Sequence, residues 1–248
     1  MNLIGYTITP NYPKLPIKKK TIVNTINPHS YCISKKDKYF ERALKDSDVL
    51  LPDGVGIVWA AKMLNRQTIK KIAGYDIFMY LMQHLNKNNG TCFFLGASEN
   101  TLAMIKKRAA KEYPNVIVNT YSPPFKAEFT ADDSGVMCSR VNNCNPDVLF
   151  VGMTAPKQEK WVYQHKEHLF AQTICCIGAV FDFYAGTVKR PGKFWINLGL
   201  EWLPRFLRDP KRLAERNLVS TPKFIVEVLS FKIFGKGFLG RSSKTMMD

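Results

Sequence analysis

The chain has 248 residues, with 36 Lys and Arg against 20 Asp and Glu, a formal net charge of +16 and a sequence pI near 9.6. Hydrophobic residues at 46% and charged residues at 23% supply enough apolar material for one substantial core, which excludes a disordered chain, a collagen-like fibre and a low-complexity protein. Charge of this size calls for an anionic partner, and nucleic acid, an anionic membrane surface or a phosphorylated small molecule would each satisfy it.

The first twenty residues hold no apolar stretch of signal-peptide length, and their charge cluster, Lys18-Lys19-Lys20, follows the apolar residues instead of preceding them. Nowhere do the ~18 uncharged apolar residues of a membrane span occur. Short apolar, β-branched runs then appear at 21–26, 49–51, 91–95, 116–120, 148–151 and 173–177. Between them, helical periodicity fits 34–45, 55–64, 75–85, 100–112, 131–142 and 156–168. This alternation predicts an α/β fold, a Rossmann-like and mostly parallel sheet flanked by helices, over residues 1–186. After Gly186 no strand run follows, and residues 187–248 read as a helical, basic C-terminal appendage punctuated by Pro204, Pro210 and Pro222. From Gly186 onward there are thirteen Lys and Arg against five Asp and Glu, so a quarter of the chain carries +8, half the excess.

Six cysteines, Cys32, Cys92, Cys138, Cys144, Cys175 and Cys176, make no CxxC and have no His at metal-ligand spacing. Cys92, Cys175 and Cys176 lie in apolar runs, where cysteine behaves as a small hydrophobe, and the set points to a reducing cytoplasm.

In a parallel sheet, ligands bind at the carboxyl ends of the strands, so the loops leading from strand to helix hold the chemistry. Thr25-Ile26-Asn27-Pro28 offers hydrogen-bonding groups to a sugar or nucleotide, or makes an ordinary Asx turn. In Pro52-Asp53-Gly54-Val55-Gly56 the carboxylate is placed to act as a general base or to bind a sugar hydroxyl, and would equally serve as a helix N-cap. The third glycine of a dinucleotide fingerprint is missing there, which disfavours an NAD enzyme. Gly96-Ala97-Ser98 opens a helix whose backbone N–H groups suit a phosphate and also suit any tight turn. Pro156-Lys157-Gln158-Glu159 gathers more polar side chains than a helix start requires. Asp182 interrupts an apolar segment and needs a hydrogen-bonding partner there. The DxD sequence Asp46-Ser47-Asp48 precedes its strand, at the pole away from these loops, and no other acidic or His cluster has metal-site character. A diphosphate would therefore be neutralised by Arg and Lys.

Together these loops resemble the WecG/TagA/CpsF family of bacterial glycosyltransferases over nearly the whole chain. The resemblance is carried by Thr25-Ile26-Asn27-Pro28, Pro52-Asp53-Gly54-Val55-Gly56, Ala73-Gly74-Tyr75-Asp76, Phe94-Leu95-Gly96-Ala97, Pro156-Lys157-Gln158-Glu159, Ile177-Gly178-Ala179-Val180-Phe181-Asp182 and Gly199-Leu200-Glu201-Trp202-Leu203, in family order. It implies an inverting, metal-independent transferase with no cofactor. Such an enzyme moves an N-acetylmannosamine-type sugar from a UDP donor to a polyprenyl-diphosphate-linked N-acetylglucosamine, for teichoic acid, common antigen, capsule or exopolysaccharide. On this resemblance Asp53 is the general base, Thr25 positions substrate and Gln158 contacts donor or acceptor. Asn27, Gly96, Ala97, Lys157, Glu159 and Asp182 line the substrate site, and Arg205, Arg212 and Arg216 of the appendage meet the diphosphate. Two segments depart from the family pattern: Lys71 stands where an Arg is usual, and Lys189-Arg190-Pro191-Gly192-Lys193 replaces the more usual Arg-Ala-Pro. Both leave the reaction class intact and bear on donor identity.

The stretch from Lys223 to Leu239 sets Phe224, Ile225, Val228, Leu229, Phe231, Ile233, Phe234, Phe238 and Leu239 among Lys223, Lys232 and Lys236. Such a segment suits an anionic membrane surface, and it would also suit packing on the α/β domain or on a second copy in a homo-oligomer. The expected location is the cytoplasm, peripheral on the inner face of the plasma membrane. Charge alone also admits a nucleic-acid-binding module, but no motif that reads nucleic acid is present and no such partner is expected.

Overall fold

A computed structural model describes residues 1–192, 194–195 and 200–235. Lys193, Gly199, Lys236, Phe238 and Leu239, named above, lie outside the described residues, as does the side chain of Arg212. Six parallel strands form the sheet: β3 (Thr21–Ile26), β4 (Val49–Pro52), β5 (Thr91–Gly96), β6 (Ile117–Tyr121), β7 (Val148–Gly152) and β8 (Thr173–Cys176), in the order β4-β3-β8-β7-β5-β6. A two-stranded antiparallel pair, β1 (Asn2–Leu3) and β2 (Tyr6–Thr7), precedes it and was not anticipated, because two-residue strands leave no periodicity to read.

Strands β3, β4, β5, β7 and β8 are buried on both faces, as their apolar runs require, whereas the edge strand β6 is only partly covered and leaves Ile117 exposed. Side chains alternate across the sheet. Val23, Leu51, Phe94, Phe150 and Cys175 enter a cluster with helices α4 (Gly74–Lys87), α5 (Glu99–Glu112) and α8 (Val180–Ala185). Ile22, Phe93, Leu95, Leu149, Ile174 and Cys176 face α6 (Ala131–Asn142) and α7 (Lys157–His165) on the other side. All six cysteines are free, and Cys92, Cys175 and Cys176 are fully buried on their strands.

Two local readings needed correction. A helix, α1 (Pro28–Ser34), follows β3 directly, where a turn was expected. Asn27 caps it by accepting from the backbone N–H of His29 and Ser30 at 3.0 Å each, Ser30 returns the capping bond to Asn27, and Pro28 suits the first turn. The next helix, α2 (Lys38–Lys45), starts later than residue 34, because Asp37 caps it. The apolar run holding Asp182 is the short helix α8, with Asp182 in its first turn.

The C-terminal segment contains α9 (Trp202–Arg208), α10 (Pro210–Ala214), a π-helical turn (Glu215–Ser220) and α11 (Thr221–Phe234). Pro222 stands in the first turn of this last helix, at the boundary where punctuation was expected. The wider turn before it changes the bonding pattern where the proline has no N–H to give, with Thr221 Oγ1 donating to Arg216 O at 3.1 Å. Helix α11 packs on α1 and on α3 (Val55–Asn65). Its Phe224 and Val228 are fully buried in one cluster with Tyr6, Ile26, Tyr31, Phe40 and Leu50. Its Glu227 is buried too, accepting a hydrogen bond from the Tyr31 hydroxyl at 3.1 Å. The opposite face, with Ile225, Val226, Leu229, Ile233 and Phe234, stays exposed.

Candidate active site

Parallel strands bring their following loops to one pole, and adjacency in the sheet decides which loops meet. Strands β3 and β4 are neighbours in register, with Thr25 opposite Leu51 and Ile26 opposite Pro52. Asp53 extends this register, its N–H bonded to Ile26 O at 2.9 Å. Thr25 and Asn27, two apart, point to one face, and Asp53 stands beside them. Asn27 Nδ2 donates to Asp53 Oδ2 at 3.4 Å.

The alternative that Asp53 is a helix cap does not hold. The residue at the cap of α3 is Gly54, whose φ of +91° is the left-handed region that favours glycine, and no side chain bonds the free N–H groups. Gly56 is required for another reason: a Cβ there would lie 2.7 Å from the Pro28 ring. The Asp53 carboxyl is consequently free of capping duty. Burial raises its pKa above the ordinary carboxylate range; Arg216 and Lys71 act against that, Glu201 adds to it, and the Asn27 bond lowers it.

Three of these neighbours come from outside the two strands. Ile72 N–H bonds Pro52 O at 2.9 Å, which anchors the turn carrying Lys71 beside Asp53. Arg216 reaches the site from the π-helical turn, where Ser220 Oγ stands 2.9 Å from His29 Nδ1. The His29 ring is held below its usual pKa by burial and by Arg216. Glu201 lies just before α9 and receives Lys71 Nζ at 2.9 Å.

The other expected residues fall along the same pole but in separate places. Gln158 is buried between the loops after β7 and β8. Its Oε1 accepts from Met153 N–H and Gly178 N–H at 3.1 Å each, while its Nε2 donates to Glu159 Oε1 at 2.8 Å. Glu159 is buried as well, its Oε2 has no partner, and desolvation pushes its carboxyl up to about 7. Lys157 Nζ lies 3.6 Å from the centre of the Phe129 ring. Gly96 and Ala97 end β5, four strand spacings from β4, roughly 19 Å along the sheet edge. Gly96 has φ +130°, and a Cβ there would meet Gly152 O at 2.4 Å, so no other residue fits between these strand ends.

Asp182 lines a cleft with Ala179, Phe183, Val188, Arg205 and Arg208. Its Oδ1 accepts from Thr187 Oγ1 at 3.4 Å, and the Arg205 guanidinium lies 5.1 Å from the centre of the Phe183 ring. Arg208 Nη1 donates to Lys189 O at 3.1 Å. The structure thus places Asn27, Asp53 and Arg216 together, with Thr25 two residues before Asn27 on the adjoining strand, Asp182 and Arg205 together, and Gln158 with Glu159. Arg190, Arg208, His29 and Ser220 also belong to this pole and were not anticipated as site residues. The only sequence signal for them was charge and polarity inside an aromatic, apolar appendage and beside the Asn27-Pro28 pair.

Among the described residues, no group of three His, Cys, Asp or Glu side chains could hold a metal ion. Asp48 of the DxD sequence lies at the opposite pole, accepting from Ile22 N–H at 2.9 Å with Lys19 at 3.5 Å.

A family described as "Glycosyl transferase WecG/TagA/CpsF family" matches residues 14–237. Curated relatives share the name N-acetylglucosaminyldiphosphoundecaprenol N-acetyl-beta-D-mannosaminyltransferase. One from Bacillus subtilis (strain 168) is 30% identical over 224 residues, 90% of this chain and 84% of the relative. One from Bacillus spizizenii is 30% identical over 212 residues, 85% of this chain and 79% of the relative. One from Staphylococcus aureus (strain MW2) is 26% identical over 208 residues, 84% of this chain and 79% of the relative.

Proposed function

The chain belongs to the glycosyl transferase WecG/TagA/CpsF family, and from that membership we propose that it moves an N-acetylmannosamine-type sugar from UDP to a polyprenyl-diphosphate-linked GlcNAc, by an inverting displacement without a metal ion. Glycosyl transfer is its activity; the donor, acceptor and metal requirement are the substance of the proposal. The acceptor follows the names of the relatives, which act on N-acetylglucosaminyldiphosphoundecaprenol.

The observation that carries the mechanism is Asp53, held by Asn27 at the joined ends of β3 and β4, free of capping duty and facing Arg216 and Lys71. As the acceptor hydroxyl oxygen attacks the anomeric carbon, Asp53 takes its proton. The bond from that carbon to the UDP oxygen breaks on the opposite face, and negative charge grows on the leaving diphosphate. A carboxyl whose pKa is raised by burial is a stronger base, and it still ionises because two cations face it. Arg216, Arg205 and Arg212 are assigned to the diphosphate, where loss of one charged donor costs about 10²–10³ in rate. Gln158 fixes the two loops that frame the donor, and the spread of the site from β4 to β5 suits an elongated sugar nucleotide.

No helix among the described residues is long and apolar enough to cross a membrane. The exposed apolar side of α11, with Lys223 at its rim, is assigned to the inner membrane surface, where a lipid-linked acceptor resides.

The test is a donor screen against a GlcNAc-diphospho-lipid analogue in EDTA, read by mass spectrometry, with Asp53→Asn in parallel. Transfer from the UDP-N-acetylmannosamine donor in EDTA, reduced about 10²–10⁴-fold by the substitution, is the expected result. Dependence on a divalent cation removes the metal-free mechanism, and undiminished transfer by Asp53→Asn removes the base assignment.

A further inference from the structure

Five side chains from two parts of the chain form one charged contact beside Asp53. Lys71, Tyr75 and Asp76 come from the turn leading into α4 and its first residues, while Arg190 and Glu201 come from the C-terminal segment. The Glu201 carboxylate lies between two cations: Oε2 accepts from Lys71 Nζ at 2.9 Å, and Oε1 stands 3.5 Å from Arg190 Nε. Arg190 continues the contact, with Nη2 3.6 Å from Asp76 Oδ1 and its guanidinium 4.2 Å from the centre of the Tyr75 ring. Asp76 in turn accepts from Ala73 N–H at 2.9 Å, and Ile72 N–H bonds Pro52 O, so the turn is tied to the residue preceding Asp53. All five side chains are partly shielded from water, which makes their charges matter more than those of an open surface pair.

We propose that Glu201 is a positioning residue which, with Arg190, clasps the C-terminal segment onto the turn at residues 71–76 and thereby sets Lys71 and the charge around Asp53. The proposal rests on Asp53 being the base. When the clasp is closed, Glu201 engages Lys71, which would otherwise act on Asp53 undivided, and presents its own negative charge to that carboxyl. Both effects keep Asp53 more basic. The charged groups facing Asp53 are Lys71 from the turn, Glu201 from the segment before α9, and Arg216 from the π-helical turn, with Asn27 as the neutral donor. Glu201 itself is held ionised by Lys71, Arg190 and Arg205. Loss of the clasp therefore alters the base through the charges held around it.

Glu201→Gln tests this by the dependence of kcat on pH, measured with the UDP-N-acetylmannosamine donor and the lipid analogue. The expected result is about a 10-fold lower plateau, with the acidic limb moved to lower pH because Asp53 becomes a weaker base, and partial recovery in Glu201→Asp. An unmoved limb overturns the proposal, whether the rate is unchanged or lowered uniformly. Urea unfolding of Lys71→Met, Glu201→Gln and the double variant gives a readout independent of activity: non-additive midpoints support the pair, and additive ones overturn it. Asp53→Asn separates the two levels. If it abolishes transfer while the Glu201→Gln limb is unmoved, only the clasp fails; if it retains full transfer, the base assignment fails.

Discussion

Asn27 joins two tasks in one side chain: its Oδ1 caps α1 through the N–H groups of His29 and Ser30, and its Nδ2 stands 3.4 Å from Asp53 Oδ2. Because capping fixes the oxygen, it also fixes which atom faces the carboxylate. The start of one helix thus orients the Asp53 carboxyl, the proposed base, at the end of the neighbouring strand.

Asn27→Asp keeps the cap and replaces the donor with a second carboxylate, whereas Asn27→Ala removes both. Asn27→Ala is expected to lower stability by about 1 kcal/mol, read by urea unfolding, and to lower kcat. In Asn27→Asp the cap survives, so stability at neutral pH falls only through repulsion from Asp53. The acidic limb of kcat moves to higher pH, because a like charge disfavours the ionised base. A limb that stays in place in Asn27→Asp contradicts the orientation given to Asn27.

Glu159 makes stability depend on pH. Its folded carboxyl is raised from 4.5 to about 7 by burial, so the folded state holds a proton that the unfolded state has already lost. Stability contributed by that protonated form is complete below about pH 4.5 and is lost as pH rises through about 7. The full excursion amounts to on the order of 3 kcal/mol. Glu159→Gln removes this slope: its melting temperature relative to wild type should rise between pH 5 and pH 8 by roughly 5 °C, by calorimetry. Parallel curves for the two proteins would show that the carboxyl titrates elsewhere.

The two faces of α11 predict opposite phenotypes. Phe224→Ala empties a fully buried position and should cost about 3–5 kcal/mol in unfolding free energy. A variant carrying Ile225→Ser, Leu229→Ser and Ile233→Ser alters only exposed positions, so its stability should change little while its flotation with vesicles containing anionic phospholipid falls at least 10-fold. Unchanged flotation of the triple variant would mean that this face does not meet lipid.

Much of the architecture was legible along the chain because the buried strands of a parallel sheet demand apolar runs, and all six strands, the partly covered edge strand β6 included, appear within a residue or two of their observed limits. The helix α1 was missed although its signals, Asn27, Pro28 and Ser30, are all local: too few apolar residues follow for helical periodicity to register. Asp53 could be named, but its competing role as a cap was excluded only by the backbone of Gly54. Gln158 could be named as a polar residue at a helix start; that its amide is enclosed by Met153, Gly178 and Glu159 depends on β7 and β8 being adjacent.

The charge of +16 shows the same division. Composition and order determined that the excess concentrates after Gly186, that the fold is a parallel α/β sheet, and that the reactive loops lie at one pole, since all of these follow from residue type and period. Which cation meets which carboxylate could not follow, because Lys71 and Glu201 are 130 residues apart and paired only by the docking of the C-terminal segment. The two sides of α11 were likewise indistinguishable while apolar residues lay all round the helix, until Tyr31 and Phe40 covered one of them. Ion pairs and apolar contacts form only between groups a few ångströms apart, so their outcome is set by spatial neighbours, and those are supplied by the tertiary structure alone.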